Sequence, residues 1–135
     1  MMKFDEKGFS LIEILLAVSI IGMIAAAAVP KAAHVLAVSR TQRVISDLQT
    51  LDAAVVMYET EHGTQPGSLN DLSDYVQNGT KIKPPGKAIL GTGAEVEANE
   101  YLLQKSGSGK DMRATFGGHT AEEFLPSGTN AGDKT

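Results

Sequence analysis

The 135-residue sequence contains no cysteine. That excludes a disulfide, a thiolate metal site and a cysteine nucleophile. It does not locate the chain, because an exported protein need not carry disulfides. Positive charge is also scarce: Lys and Arg total 12 against 16 Asp and Glu, for a net charge of -4, and no basic block occurs. Nucleic acid is therefore disfavoured as a main partner. The histidines His34, His62 and His119 stand far apart, and none begins a metal-ligand spacing. Phosphate-binding loops are missing too. Gly91-Thr92-Gly93 opens like a dinucleotide fingerprint, but Val96 takes the third glycine position. Gly107 to Lys110 resembles the end of a phosphate loop, but Asp111 stands where Ser or Thr is needed and Gln104 where the first Gly belongs. Both read as linkers. With no constellation recruiting a nucleophile, base or metal, the expectation is a chain that catalyses nothing.

What is present is unevenly distributed. Residues 9 to 29 read FSLIEILLAVSIIGMIAAAAV, while the stretch after Gly63 is rich in Gly, Ser, Asn and charge. At a rise of about 1.5 Å per residue the apolar run spans about 31 Å, the thickness of a bilayer's hydrocarbon core. A secretory signal is one reading, with Ala26, Ala27 and Ala28 as a small-residue cleavage site. However, the run exceeds the usual apolar region of about 7–15 residues. A plain membrane anchor is another reading. Neither accounts for Glu13, the one ionisable residue inside the run. A carboxylate at mid-membrane costs about 2.5–3.5 kcal/mol on insertion scales, and such a group is a functional hypothesis with a partner to be named.

Lys7-Gly8-Phe9-Ser10-Leu11-Ile12-Glu13 resembles the processing site of type IV prepilins and pseudopilins. The resemblance implies cleavage by a prepilin peptidase between Gly8 and Phe9, then N-methylation of Phe9. It implies that Glu13 of one subunit meets the amine of a neighbour's Phe9 during assembly. Gly22 and Pro30 fall where such helices often carry Gly and Pro; membrane helices also simply tolerate both residues, and the resemblance favours a segment between them that loosens as the subunit leaves the membrane. Proline removes a backbone donor and crowds the carbonyl four residues back, here that of Ala26. Lys3 and Lys7 in the leader are offset by Asp5 and Glu6, and Lys31, Arg40 and Arg43 follow the run. The positive-inside count does not choose an orientation; a cytoplasmic N-terminus is what the resemblance implies.

Helical patterning continues beyond Pro30. Val44, Leu48, Leu51, Val55 and Tyr58 recur at spacings of 4, 3, 4 and 3, one apolar stripe on a helix. Gly63 suits its end. Ser68-Leu69-Asn70-Asp71 reads as a helix start, with Leu69, Leu72 and Val76 as its apolar face and Asn78-Gly79 as its stop. Lys81 to Lys87, with Pro84-Pro85, reads as loop. Ala94 to Lys105 alternates with a slip near Asn99. Met112, Ala114 and Phe116 alternate against Arg113 and Thr115, and Ser106 to Lys110 joins the two strands as a hairpin. The expected fold is α+β: a long N-terminal helix packed on a small antiparallel sheet.

The expected organisation is a leader (1–8), a membrane or filament-core helix (9–30), an amphipathic helix half (31–63), a small globular α+β part (64–126) and a flexible tail (127–135). Met57 to Pro66 is similar to the tyrosine, acidic, Gly, then Pro pattern of major pseudopilins, with Gln65 where an aromatic residue usually precedes the proline and no tryptophan loop beyond. The resemblance implies a filament subunit, first a major pseudopilin of a type II secretion-like system. The alternatives are a pilin for DNA uptake, adhesion or motility, and a monomeric membrane-anchored binding module. Its implied partners are copies of itself, the prepilin peptidase, other pilins or pseudopilins and an inner-membrane assembly platform. Its implied place is the bacterial inner membrane, then a periplasmic or extracellular filament. No cofactor is expected. Calcium stays open, since Asp111, Glu122, Glu123 and Asp133 are available oxygen donors but form no recognisable loop, and no calcium ligand is assigned.

Overall fold

A computed structural model describes residues 8–77, 81–106 and 111–126. The expected leader up to Lys7, the helix stop at Asn78-Gly79, most of the Ser106–Lys110 loop and the tail 127–135 lie outside the described residues. The chain divides into two compact units, Met1–Val35 and Leu36–Thr135. One helix, α1 (Leu11–His62), runs through both and is unbroken at Gly22 and Pro30.

The first unit is helix α1 as far as Val35. Its side chains are exposed all round: Leu11 is 76% accessible, Ile21 64% and Val29 68%. Such a surface is stable only against lipid or other protein. Ser19 satisfies its hydroxyl within the helix, donating to the Leu15 carbonyl at 2.7 Å.

In the second unit α1 continues to His62, where Gly63 takes a left-handed backbone (φ 69) and donates its N–H to the Glu59 carbonyl at 2.8 Å. This is the glycine helix end that the sequence suggested. The stripe is buried as its spacing requires: Val44 and Leu48 are fully inaccessible, Leu51 and Val55 nearly so, and Tyr58 packs at the margin. Leu72, Ala88, Tyr101, Phe116 and Phe124 close the core from the other side. A short 3₁₀ turn at Leu69–Leu72 replaces the expected helix start. Asp71 still performs the N-terminal function, because its Oδ2 accepts the N–H groups of Gly67 and Ser68 at 2.9 Å each.

Among the described residues four strands follow: β1 (Lys87–Ile89), β2 (Glu95–Glu97), β3 (Tyr101–Lys105) and β4 (Met112–Phe116). They form two two-stranded antiparallel sheets, β1–β2 and β3–β4, rather than one. The β3–β4 hairpin was legible, and its register pairs Tyr101 with Phe116 and Lys105 with Met112. β1 was not, because three residues are too few to show a period. The slip near Asn99 marks the bend where the chain leaves one sheet for the other. Gly91-Thr92-Gly93 turns the β1–β2 hairpin, with Gly93 (φ 90) donating to the Leu90 carbonyl at 2.8 Å. A turn between two strands has none of the strand-turn-helix context that a dinucleotide fingerprint needs. The alternation in β4 also breaks: Thr115 is buried (3% accessible), with its hydroxyl donating to the Leu102 carbonyl at 3.2 Å.

Candidate functional site

The start of α1 gathers three of the residues singled out in the sequence. Gly8, Phe9 and Ser10 are exposed, non-helical backbone immediately before the helix. Nothing approaches within 4 Å of the position a Cβ would take on Gly8. Phe9 is 84% accessible. Ser10 stands at the cap position. Its N–H donates to Glu13 Oε2 at 2.8 Å, and its carbonyl accepts the Ile14 N–H at 3.2 Å. A glutamate three residues into the helix that reaches back to the cap N–H is half of a capping box. The negative carboxylate also sits where the helix dipole favours it. The fold thus aims Glu13 back toward the backbone around Phe9 and Ser10.

Gly22 and Pro30 lie farther along the same helix and contribute nothing to this cluster. An added Cβ on Gly22 would meet nothing within 4 Å. Proline carries no N–H, so the Ala26 carbonyl has no partner from residue 30. An 18-residue window of α1 has a mean hydropathy of 2.5 and is wholly accessible, long and apolar enough to cross a membrane. Among the described residues no group of three or more His, Asp or Glu side chains is placed to hold a metal ion.

In the second unit, residues off the stripe turn out to fasten the helix to the strands. Asp52 accepts the Arg113 Nε at 3.0 Å through Oδ2 and the Ala114 N–H at 2.7 Å through Oδ1. Arg113 also reaches Glu122 at 3.0 Å. Those bonds, to Glu122 first and Asp52 after it, raise the guanidinium's affinity for its proton. Tyr101 donates to Asp47 Oδ2 at 2.8 Å; burial first, then this bond, raises its phenol above the ordinary value. Thr41 Oγ1 accepts the Ile89 N–H at 2.9 Å while donating to the Ala37 carbonyl at 3.0 Å. At the helix end Tyr58 stacks on His62 with centroids 4.3 Å apart, and Tyr75 donates to Glu61. The bonds of Asp52 to Arg113 and Ala114, of Asp47 to Tyr101 and of Thr41 to Ile89 were not legible from spacing, since each joins α1 to a segment far along the chain. The only hint was a carboxylate on the shoulder of an apolar stripe.

Comparison with known proteins bears on the first cluster. The family described as "Prokaryotic N-terminal methylation motif" matches residues 3–29. The type IV major fimbrial protein FimA of Dichelobacter nodosus is 41% identical over 129 residues, which cover 89% of this chain and 78% of that protein. No solved structure matches.

Proposed function

The chain belongs to the type IV pilin family, and on that premise we propose that it is the repeating subunit of a type IV pilus-like filament, activated by cleavage between Gly8 and Phe9. Hydrolysis of that amide frees an amine on Phe9, and N-methylation leaves the nitrogen cationic. Glu13 of a neighbouring subunit then neutralises it among apolar helices. Once both charges are out of water, removing one partner costs about 3–5 kcal/mol, because the other is left buried and unpaired. The pair therefore sets which axial positions two subunits can share. The uncleaved chain has an amide at that nitrogen, and its Glu13 is engaged by its own Ser10 N–H. Processing thus gates assembly. Gly22 and Pro30 bound the stretch of the continuous helix that loosens as the subunit leaves the bilayer. The N-terminus lies in the cytoplasm before extraction.

The observation that carries this reading is Glu13, the single carboxylate of residues 9–29, in the first turn of a helix with no cover of its own. The test is Glu13→Gln. Mass spectrometry of the membrane-extracted chain should show N-methyl-Phe9 as in the wild type, while filaments are lost. Filaments of normal number from that variant would falsify the pairing.

Likeness to a fimbrial protein over most of the chain favours a surface pilus. The Met57–Pro66 pattern favours a type II secretion pseudopilus as the second reading. Deleting the gene separates them. Loss of surface filaments with export intact supports the pilus, and retention of an exported protein supports the pseudopilus.

A further inference from the structure

Charge is sorted along the sequence of α1. Between Glu13 and Asp47 the Lys, Arg, Asp and Glu residues are Lys31, Arg40 and Arg43, all basic. From Asp47 to Glu61 they are Asp47, Asp52, Glu59 and Glu61, all acidic. A later segment, Lys81 to Lys87, adds three lysines and no acid. In the second unit the fold brings that segment back to the basic part of the helix. Arg43 Nη2 donates to the Lys83 carbonyl at 3.3 Å, and the Ile89 N–H donates to Thr41 Oγ1 at 2.9 Å. Arg40 and Lys87 line one cavity. A chain of net charge -4 thus gathers Arg40, Arg43, Lys83 and Lys87 in one patch. Such a concentration of one sign attracts an oppositely charged surface.

The cavity measures about 240 Å³, with Ala37, Ala88, Ile89 and Glu95 completing its lining. Lys87 pairs with Glu95 at 2.9 Å and Glu97 at 3.9 Å, and Arg43 with Asp47 at 3.8 Å. The lysine and arginine side chains in these pairs are half exposed or more, and such pairs hold weakly. Arg40 has no carboxylate partner among the described residues. Its guanidinium offers a planar fork of donors that matches phosphate oxygens two at a time. Just before it, Leu36 and Val38 stay 57% and 43% accessible. Exposed apolar side chains followed at once by cations suit a helix passing from lipid tails to headgroups.

We infer that this patch binds the phosphate headgroups of anionic phospholipids and so holds the unassembled subunit at the membrane surface. The inference rests on the reading that residues 9–29 keep the subunit in a bilayer before assembly. The occupant is lipid because the apolar character of α1 reaches almost to the patch. Six of the seven residues 32–38 are apolar, and Val38 stands two positions before Arg40. Arg40 supplies the unpaired fork for a phosphate, while Lys83 and Lys87 add charge beside it.

The test is binding of tail-labelled phosphatidylglycerol to the full-length chain in uncharged detergent, read by fluorescence anisotropy. It should bind more tightly than tail-labelled phosphatidylcholine, and binding should weaken as salt rises. Arg40→Gln and Lys83→Gln, both at exposed positions, should keep wild-type melting and each weaken binding about fivefold, the share of one cation at an anionic surface. Lys105→Gln, on β3, should bind like the wild type. Equal affinity for the two lipids overturns the inference. So does a loss from Lys105→Gln as large as that from Arg40→Gln, since the effect would then be net charge and not the patch. Displacement of the lipid by an equal concentration of inorganic phosphate or duplex DNA also overturns it, because the anion would then come from solution. If the chain freed of detergent stays soluble rather than entering phosphatidylcholine vesicles, it is the membrane reading that fails.

Discussion

Asp52 offers the sharpest test of how the second unit is held together. Its two oxygens do different work: one accepts Arg113, the other the Ala114 N–H. Ala114 is fully buried, so water cannot replace the acceptor. Asp52→Ala orphans that N–H, at about 1–3 kcal/mol. The ion pair adds less, about 0.5–1 kcal/mol, because Arg113 remains 32% and Asp52 18% accessible. Together the two terms come to about 1.5–4 kcal/mol. For a unit spanning 36–135, each kcal/mol moves Tm by about 4–8 °C, so a fall of roughly 6–30 °C is expected. Asp52→Asn keeps an oxygen for Ala114 and gives up only the charge, so it should lose less than about half as much. The assay is thermal unfolding of the full-length chain in detergent, followed by near-UV circular dichroism of the tyrosines. If Asp52→Ala melts within about 2 °C of wild type, or if the two variants fall equally, the buried N–H is not what Asp52 secures.

Gly91→Ala should destabilise the same unit by about 1–3 kcal/mol, since its Cβ would lie 1.9 Å from the Leu125 carbonyl oxygen, a backbone atom with little room to move; equilibrium denaturation checks this. The His119 hydrogen bond, ahead of the backbone N–H of Thr120, holds the Glu123 carboxyl below its ordinary 4.5. A depressed folded value means stability that is full above about pH 4.5 and lost as pH falls toward the folded value, and Glu123→Gln should flatten that acid limb of the melting profile. Tyr75, bonded first to Glu61, is pushed up to about 12 from 10.0. Its contribution is present below pH 10 and lost as pH rises toward 12, and Glu61→Gln should bring the Tyr75 ring resonance's alkaline titration back toward 10.

How far the sequence could be read follows from the range of the interactions concerned. The apolar run, its lone Glu13 and the stripe from Val44 to Tyr58 are local periodicities along a single helix. Gly63 ends that helix because a left-handed residue is needed there and glycine adopts it without strain. The β3–β4 hairpin was legible from alternation across a short loop. What tertiary structure alone decided are the pairings between distant segments: Thr41 with Ile89, Asp47 with Tyr101, Asp52 with Arg113 and Ala114. It also decided that the strands split into two sheets, with the turn near Asn99 between them. A carboxylate on a helix shoulder carries no sign of which strand will bond it, and a three-residue strand carries no period. Both are fixed only when the core closes and every buried donor must find its acceptor.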